Sequence, residues 1–243
     1  IPNDAAYCSA TSTFNTSHTY YTLLAAPQEP MSEPWSSVLD YACNWASGQT
    51  SSSSSSQKIV EGLYNNTDFL YDTYDGSPRY TYNGTTSSFN LTSMLSEIGG
   101  TNIVIDCYDM GKALKIFGNA LGCGLIYVFS YPFGYLNCIK AIGRGWSNNP
   151  FYSNPSYSSY QIVGEDDDYN DGRSSFGNHA FCRISTTYYD ACLKVDTDAN
   201  PDAVPHTESW AYGWDWSTYK SKVVDNNPGT STGTPTEYSF SVY

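Results

Sequence analysis

The chain has 243 residues, of which 40% are apolar and 16% aromatic, so it can bury a substantial core and is predicted to be globular. Its 24 acidic residues outnumber the 11 basic ones and give a formal net charge of −13, which repels phosphate backbones and anionic membrane surfaces. We therefore expect neither a nucleic-acid partner nor a membrane partner.

No segment has the composition of a linker long enough to separate two cores, so a single domain over 1–243 is predicted. Residues 1–34 are polar and irregular and are expected to form an extended N-terminal wrap. The core covers about 35–200, and 201–243 is a C-terminal extension. The longest apolar run, 121–136, is broken by glycines and a proline, so no membrane span is expected.

Two features predict a secreted, extracellular glycoprotein, which we expect to be a monomer. The first residue is Ile1 rather than methionine, which is the pattern left when a signal segment is removed. Sequons for N-glycosylation occur at Asn15, Asn65, Asn83 and Asn90.

Apolar residues at helical spacing predict the first elements of the chain. One helix covers 35–45 and ends near Gly48. A second covers 57–64, with a serine of the run 50–56 as its cap, and a third covers 89–98.

The stretch after Cys107 predicts a fourth helix and carries the first candidate for chemistry. Its apolar stripe consists of Met110, Leu114, Phe117 and Leu121. Asp106 is a good N-cap and Gly122 a natural stop, so Cys107 begins the first turn on the buried stripe. There the helix dipole and the unpaired first-turn amides are expected to favour a thiolate and to stabilise an oxyanion.

Two pairs of strands are predicted downstream. The β-branched and aromatic residues of 125–142 indicate two strands joined by the turn 131–134. The segments 176–184 and 191–195 form the next pair, with 186–190 as the turn between them.

An acidic run, Glu165 to Asp171, lies in the long loop 144–177. Carboxylate oxygens suit calcium, but the run lacks the EF-hand spacing, so a solvated acidic loop is the expectation. No cofactor and no metal ion is predicted for the chain.

Seven cysteines cannot all pair within one chain, so an unpaired thiol is expected. They are Cys8, Cys43, Cys107, Cys123, Cys138, Cys182 and Cys192. Closure of local loops favours three bridges, Cys8–Cys43, Cys123–Cys138 and Cys182–Cys192, which leaves Cys107 free. The alternative is that Cys107 is bridged and another thiol is buried and inert.

His179 is the candidate partner for Cys107, because it opens a predicted strand whereas His18 and His206 lie in irregular polar stretches. A cysteine nucleophile needs an imidazole within hydrogen-bond reach, and the imidazole needs a carboxylate or amide to fix its tautomer.

Asp196 is the predicted carboxylate, because it ends the strand after the hairpin and antiparallel pairing can bring it beside His179. Asp190 is the second choice for this carboxylate, because a residue in the predicted turn would lie too far along the strand from His179. Cysteine, histidine and aspartate then follow in chain order.

These three elements resemble the transglutaminase-like superfamily. The segment Cys107-Tyr108-Asp109, followed by a helix that ends Ala120-Leu121-Gly122, is similar to that family's C-R-D-x-A motif and its later A-L-G. His179-Ala180-Phe181 is similar to its H-A-W, and Tyr189 to Asp196 is similar to its W-x-x-x-D segment. The match covers about 90 residues. Departures from the usual residues occur at Tyr108, Gly111, Phe181 and Cys123-Gly124.

The resemblance implies an α+β fold with a papain/transglutaminase-like core, in which the cysteine helix packs on an antiparallel β-sheet. It also implies Cys107 as nucleophile, His179 as general base and acid, and Asp196 as the orienting group. The implied reaction is acyl transfer through a thioester, with water as acceptor in a peptidase or amidase and an amine in a crosslinking enzyme. A strongly acidic chain with few lysines favours hydrolysis of an amide or peptide bond in a peptide, protein or cell-wall polymer.

The alternative is a carbohydrate-active protein that degrades or binds a cell-wall glycan on the same fold. The residue types that stack on sugar rings are the tyrosines and Trp146, Trp210, Trp214 and Trp216. The carboxylates available for acid–base chemistry are Asp166 to Asp168, Asp190 and Asp196. A pure binding module is the third possibility.

Overall fold

The computed structural model describes residues 19–65, 69–82, 87–152, 174–198, 205–225 and 231–243. Its helices are α1 (Ser36–Trp45), α2 (Ser52–Tyr64), α3 (Leu91–Glu97), α4 (Cys107–Ala120) and α5 (Trp216–Val223). Its strands are β1 (Phe69–Tyr71), β2 (Ile103–Ile105), β3 (Ile126–Ser130), β4 (Ile139–Ala141), β5 (Trp146–Ser147), β6 (His179–Ile184), β7 (Thr187–Asp196), β8 (Glu208–Trp214) and β9 (Thr236–Glu237). Within these ranges, no helix is both long enough and apolar enough to cross a bilayer.

Seven strands form one sheet in the order β5-β4-β7-β6-β3-β9, and β8 pairs with β7 outside this order. The strand pairs of this sheet are antiparallel, whereas β1 and β2 form a small parallel pair. The fold is therefore α+β, as predicted.

The helices cover both faces of the sheet. Side chains alternate between faces along a strand, and on β6 the Cys182 thiol donates to the carbonyl oxygen of Gly111 in α4, while the neighbouring Phe181 ring stacks on Tyr219 of α5. Helix α4 thus lies on one face and α5 on the other.

The close approach of α4 to the sheet depends on Gly111. A Cβ atom at this position would lie 2.9 Å from the Tyr127 ring and 3.3 Å from backbone atoms of Ala180 and Phe181. Gly111 is one turn after Cys107 on the same face of the helix, so this contact brings the start of α4 to the start of β6.

The predicted helices exist close to their predicted positions. The predicted serine cap of α2 is confirmed, because the Ser51 side chain accepts a hydrogen bond from the Ser54 amide, but the helix starts at Ser52 rather than at the predicted Gln57. Local capping therefore outweighs the low helix propensity of serine.

The two strands predicted over 125–142 also exist, but the prediction that they pair through the turn 131–134 is wrong. β3 pairs with β6 and β4 pairs with β7, so two strands lie between them. The intervening segment makes separate bridges, Gly134 with Phe176 and Leu136 with Val224, and crosses the end of the sheet.

The hairpin of β6 and β7 turns at Ser185-Thr186, where Ser185 has a φ of 52°. The predicted turn 186–190 is therefore wrong, because the β-prone residues Thr187 to Tyr189 continue as strand. Asp190 consequently lies in β7, beside β6.

Described elements after residue 205 also belong to the sheet and the core. β8 pairs with β7, β9 pairs with β3, and Tyr219 of α5 is fully buried. At the other end, the described part of the N-terminal wrap, 19–34, contains no helix or strand, and the amides of Leu24 and Ala25 donate to the Leu121 carbonyl oxygen.

Free thiols are found at Cys43, Cys107, Cys123, Cys182 and Cys192. The predicted bridges Cys123–Cys138 and Cys182–Cys192 are therefore wrong, and Cys8, the predicted partner of Cys43, lies outside the described residues. Cys107 is free, as predicted, but it is one of several free thiols in the described residues rather than the single odd cysteine.

Several surface predictions fall outside the described residues, namely the acidic run 165–171 and the sequons at Asn15 and Asn83. Of the other two sequons, Asn65 is exposed at the end of α2 and Asn90 caps α3 by accepting a hydrogen bond from the Ser93 amide.

Candidate active site

Cys107 occupies the first position of α4, as the sequence predicts. Asp106 is the N-cap, and its Oδ1 accepts a hydrogen bond from the Asp109 amide at 3.0 Å. Asp109 in turn accepts from the amides of Arg79, Tyr80 and Thr81, which holds the preceding loop against the helix. The start of α4 is therefore fixed on two sides.

Cys107 is 4% exposed and borders a cavity of about 190 Å³. The other lining residues are Tyr71, Asp75, Gly76, Tyr108, Phe151, Phe176, Gly177 and Asn178. Four of the nine lining residues are aromatic, and the exposed Asp75 is the carboxylate among them. The cavity is large enough for a small acyl group beside the thiol.

The surroundings of Cys107 favour the neutral thiol. Burial raises its pKa well above the ordinary value, and the neighbouring Asp106 raises it further, while a hydrogen bond from the Ala180 amide acts in the opposite direction. The expectation that the helix start yields a thiolate is thus wrong, because burial and a nearby acid outweigh the dipole. Any thiolate chemistry at Cys107 needs a base.

His179, at the first position of β6, is completely buried between aromatic rings. The Phe176 ring stacks on the imidazole at 5.2 Å, and Phe133 lies at 4.9 Å. The Nε2–H group donates to Asp190 Oδ2 at 2.8 Å. Nδ1 has no hydrogen-bond partner among the described residues.

Asp190 is fixed by three donors. Besides His179, the Tyr219 hydroxyl donates to Oδ2 at 2.6 Å, and the Cys192 amide donates to Oδ1 at 2.7 Å. Because a carboxylate only accepts hydrogen bonds, Asp190 places the proton of a neutral imidazole on Nε2. Nδ1 then carries a lone pair and can accept a proton.

The thiol of Cys107 lies close to the backbone next to His179. In the β6–β7 hairpin, Ile184 is opposite Thr187 and Cys182 is opposite Tyr189, so the pairing extends as far as Cys182 toward the start of β6. The Ala180 backbone, one residue after His179, lies near enough to the Cys107 sulfur to lower the pKa of the thiol against the effect of burial. The thiol and the imidazole are not hydrogen-bonded to each other, since Nδ1 has no partner in the described part of the chain.

Asp196 does not contact His179 through a hydrogen bond. Its Oδ2 instead accepts from Nδ1 of His206 at 2.7 Å. The register explains the difference: Cys182 is opposite Tyr189, so Asp190 lies diagonally across from His179, whereas Asp196 lies beyond the start of β6. The fallback of the sequence prediction is therefore the residue that the structure brings to the imidazole.

Two contributors were not found from the sequence. Tyr219 comes from α5, far along the chain, and no local pattern marks its hydroxyl as a donor to Asp190. Asn178 immediately precedes His179 and lines the cavity together with Tyr108. Its position beside a candidate histidine was the available signal.

No group of three or more histidine, cysteine, aspartate or glutamate side chains in the described segments is arranged to hold a metal ion. The chemistry that the site offers is that of a thiol, an imidazole and a carboxylate.

No protein-family model, curated protein or solved structure matches this chain. The resemblance to the transglutaminase-like superfamily therefore rests on the motifs of the sequence.

Proposed function

We propose that the protein is a cysteine-dependent acyl-transfer enzyme that hydrolyses an amide or peptide bond, with Cys107 as nucleophile, His179 as general base and acid, and Asp190 as the orienting group. The observation that carries this proposal is the state of His179. Its Nε2 is held by Asp190, and its buried Nδ1 has no partner among the described residues. The next residue, Ala180, has its backbone near enough to Cys107 to affect the pKa of the thiol.

The proposed reaction starts from the neutral thiol. When substrate fills the cavity, His179 Nδ1 takes the thiol proton and the sulfur attacks the carbonyl carbon. The resulting imidazolium is stabilised by Asp190 and donates its proton to the leaving amine, which departs from the tetrahedral intermediate. A thioester on Cys107 remains.

Water completes the cycle in the proposed mechanism. His179, neutral again, accepts a proton from water as the water attacks the thioester, and the same proton returns to the sulfur. Hydrolysis is proposed rather than transfer to an amine, because the chain is strongly acidic and has few lysines.

The start of α4 supports the negative charge that develops on the carbonyl oxygen. Backbone amides at a helix N-terminus are unpaired within the helix and carry a partial positive charge. The sulfur of Cys107 attacks next to these groups, which suits an oxyanion site.

The chain order supports a papain/transglutaminase-like core as the finer description of the fold. A cysteine at the start of a helix precedes a histidine at the start of one strand and an aspartate in the next strand. The cysteine helix packs on the antiparallel sheet that carries the other two residues.

The carbohydrate-active alternative finds less support. Asp190 and Asp196 are each fully buried against a histidine and do not face one another across an open cleft. The ring of Trp146 packs on His206, and that of Trp210 packs on the Lys194 ammonium. These rings are engaged within the protein.

The proposal is tested with p-nitrophenyl acetate, whose small acetyl group fits the cavity. Release of nitrophenolate is measured for the wild type, Cys107→Ser, His179→Gln and, as a matched control, Cys138→Ser. We expect the first two variants to lose the protein-dependent rate and the control to keep it. Full activity of Cys107→Ser would exclude Cys107 as the nucleophile.

A further inference from the structure

A second set of thiol, imidazole and carboxylate lies at one end of the sheet. The sulfur of Cys138, just before β4, is 3.8 Å from Nε2 of His206, and Nδ1 of His206 is 2.7 Å from Asp196 Oδ2. We call Cys138, His206 and Asp196 the Cys138 triad. It does not share a residue with the proposed active site.

Asp196 fixes the tautomer of His206. Burial disfavours the charged carboxylate, but hydrogen bonds from the amides of Asp198 and Thr207 and from His206 outweigh burial and lower its pKa. An ionised carboxylate accepts the Nδ1–H of His206, so Nε2 of the neutral ring is an acceptor. The Cys138 thiol is therefore the donor to Nε2.

The Cys138 triad is almost completely buried, but its histidine keeps a small exposed surface. Cys138 and Asp196 are completely buried, and the ring of Trp146 lies 4.6 Å from that of His206. The His206 side chain keeps 6% of its surface exposed. Access is thus limited to small molecules that reach the imidazole edge.

The other buried thiols lack this arrangement. Cys182 donates to the Gly111 carbonyl oxygen, and burial raises its pKa. Burial and the nearby Asp190 raise the pKa of Cys192. Among the described cysteines, hydrogen bonding to a histidine is found at Cys138, so a base can assist ionisation there.

We propose that Cys138 is a peroxide-reactive thiol that His206 activates and Asp196 orients. The thiol proton moves to His206 Nε2, and the sulfur attacks one oxygen of hydrogen peroxide. An S–O bond forms and the O–O bond breaks, so sulfur is oxidised to sulfenic acid while the leaving oxygen is reduced. That oxygen takes the proton from the imidazolium and leaves as water.

The test is a time course of sulfenic acid formation under hydrogen peroxide, trapped with dimedone and located by peptide mass spectrometry. In the wild type, we expect Cys138 to react at least about 10-fold faster than Cys182 and Cys192, which are equally buried. Equal rates at the three thiols would overturn the proposal, and this comparison needs no variant.

Two variants test the role of the imidazole. His206→Gln should slow oxidation of Cys138 by about 10-fold or more, because the base is lost, while Cys182 in the same sample reports any general loosening of the fold. Asp196→Asn should slow it less. An unchanged Cys138 rate in His206→Gln would contradict the proposal.

The proposal stands apart from the acyl-transfer function. Cys107→Ser should keep the oxidation rate of Cys138, and Cys138→Ser should keep the hydrolysis of p-nitrophenyl acetate. Each proposal can therefore be refuted by its own experiment while the other proposal stands.

Discussion

The exchange Asp190→Asn tests the orientation of His179 most sharply. Asp190 accepts three hydrogen bonds with two oxygens: His179 and Tyr219 donate to Oδ2, and the Cys192 amide donates to Oδ1. Asparagine has one acceptor oxygen, so its NH₂ group must face at least one of these donors. If the NH₂ group faces His179, the imidazole proton moves to Nδ1 and the lone pair on Nδ1 that the proposed base needs is lost.

The expected loss follows from the role of the carboxylate. In enzymes that use a nucleophile, a histidine and an aspartate, the aspartate-to-asparagine exchange lowers kcat by about 10⁴ through the wrong tautomer. We expect a fall of about 10³ to 10⁴ here, which corresponds to about 4 to 5.5 kcal/mol of barrier. Substrate binding should change little, because Asp190 is not among the cavity-lining residues.

The assay is the hydrolysis of p-nitrophenyl acetate, and the matched control is Asp196→Asn. Both aspartates are fully buried and each accepts from a histidine, but only Asp190 accepts from His179 within the described residues. Asp196→Asn should hydrolyse the ester at nearly the wild-type rate. The reasoning is refuted if Asp196→Asn is the more damaging exchange, or if Asp190→Asn retains full kcat in a folded protein.

Three further exchanges have defined outcomes. Gly111→Ala should lower the free energy of unfolding in urea by about 1–3 kcal/mol, because the added Cβ would lie 2.9 Å from the Tyr127 ring. Gly177→Ala should lower it much less, because nothing lies within 4 Å of a Cβ at that position. Equal losses of stability in the two variants would contradict the close packing at Gly111. In the folded protein the pKa of Glu97 is about 2, below its ordinary value of 4.5, chiefly because the Arg79 guanidinium donates a hydrogen bond to its carboxylate. The unfolded state therefore binds more protons between these values, and the stabilisation is present above about pH 4.5 and lost as pH falls through 2. The free energies of unfolding of the wild type and Glu97→Gln, measured by urea titration, should converge as the pH falls through this window. A difference that does not change with pH would refute the lowered pKa of Glu97. Tyr219→Phe removes a donor to Asp190 and should lower kcat about tenfold with KM unchanged; a change in KM alone would indicate a different role.

The cysteine helix could be predicted from the sequence because its signals are local. Asp106 caps it, the apolar stripe has helical spacing, and Gly122, with a φ of 81°, follows its end. The structure has the helix at Cys107–Ala120, and it has strands at the positions where β-branched and aromatic residues cluster.

The choice between Asp190 and Asp196 depends on tertiary register, which the sequence does not reveal. A two-residue turn at Ser185-Thr186, rather than the predicted five-residue turn, shifts the partner strand and brings Asp190 to the imidazole. Predicting the order of residue types was possible, whereas predicting the register was not.

Two electrostatic and covalent predictions failed for a related reason. The helix start suggested a thiolate at Cys107, but burial and the nearby Asp106 raise its pKa. Sequence proximity suggested a Cys182–Cys192 bridge, but the Cys182 thiol donates to the Gly111 carbonyl oxygen of α4 instead. Both outcomes depend on which elements pack together.

The most direct test of the account is acid quenching during turnover of p-nitrophenyl acetate, followed by peptide mapping of the acyl adduct. We predict one acetyl group, bound as a thioester to the sulfur of Cys107, and its absence from the Cys107→Ser variant. An acetyl group on another residue during full turnover, with Cys107 unmodified, would contradict the account.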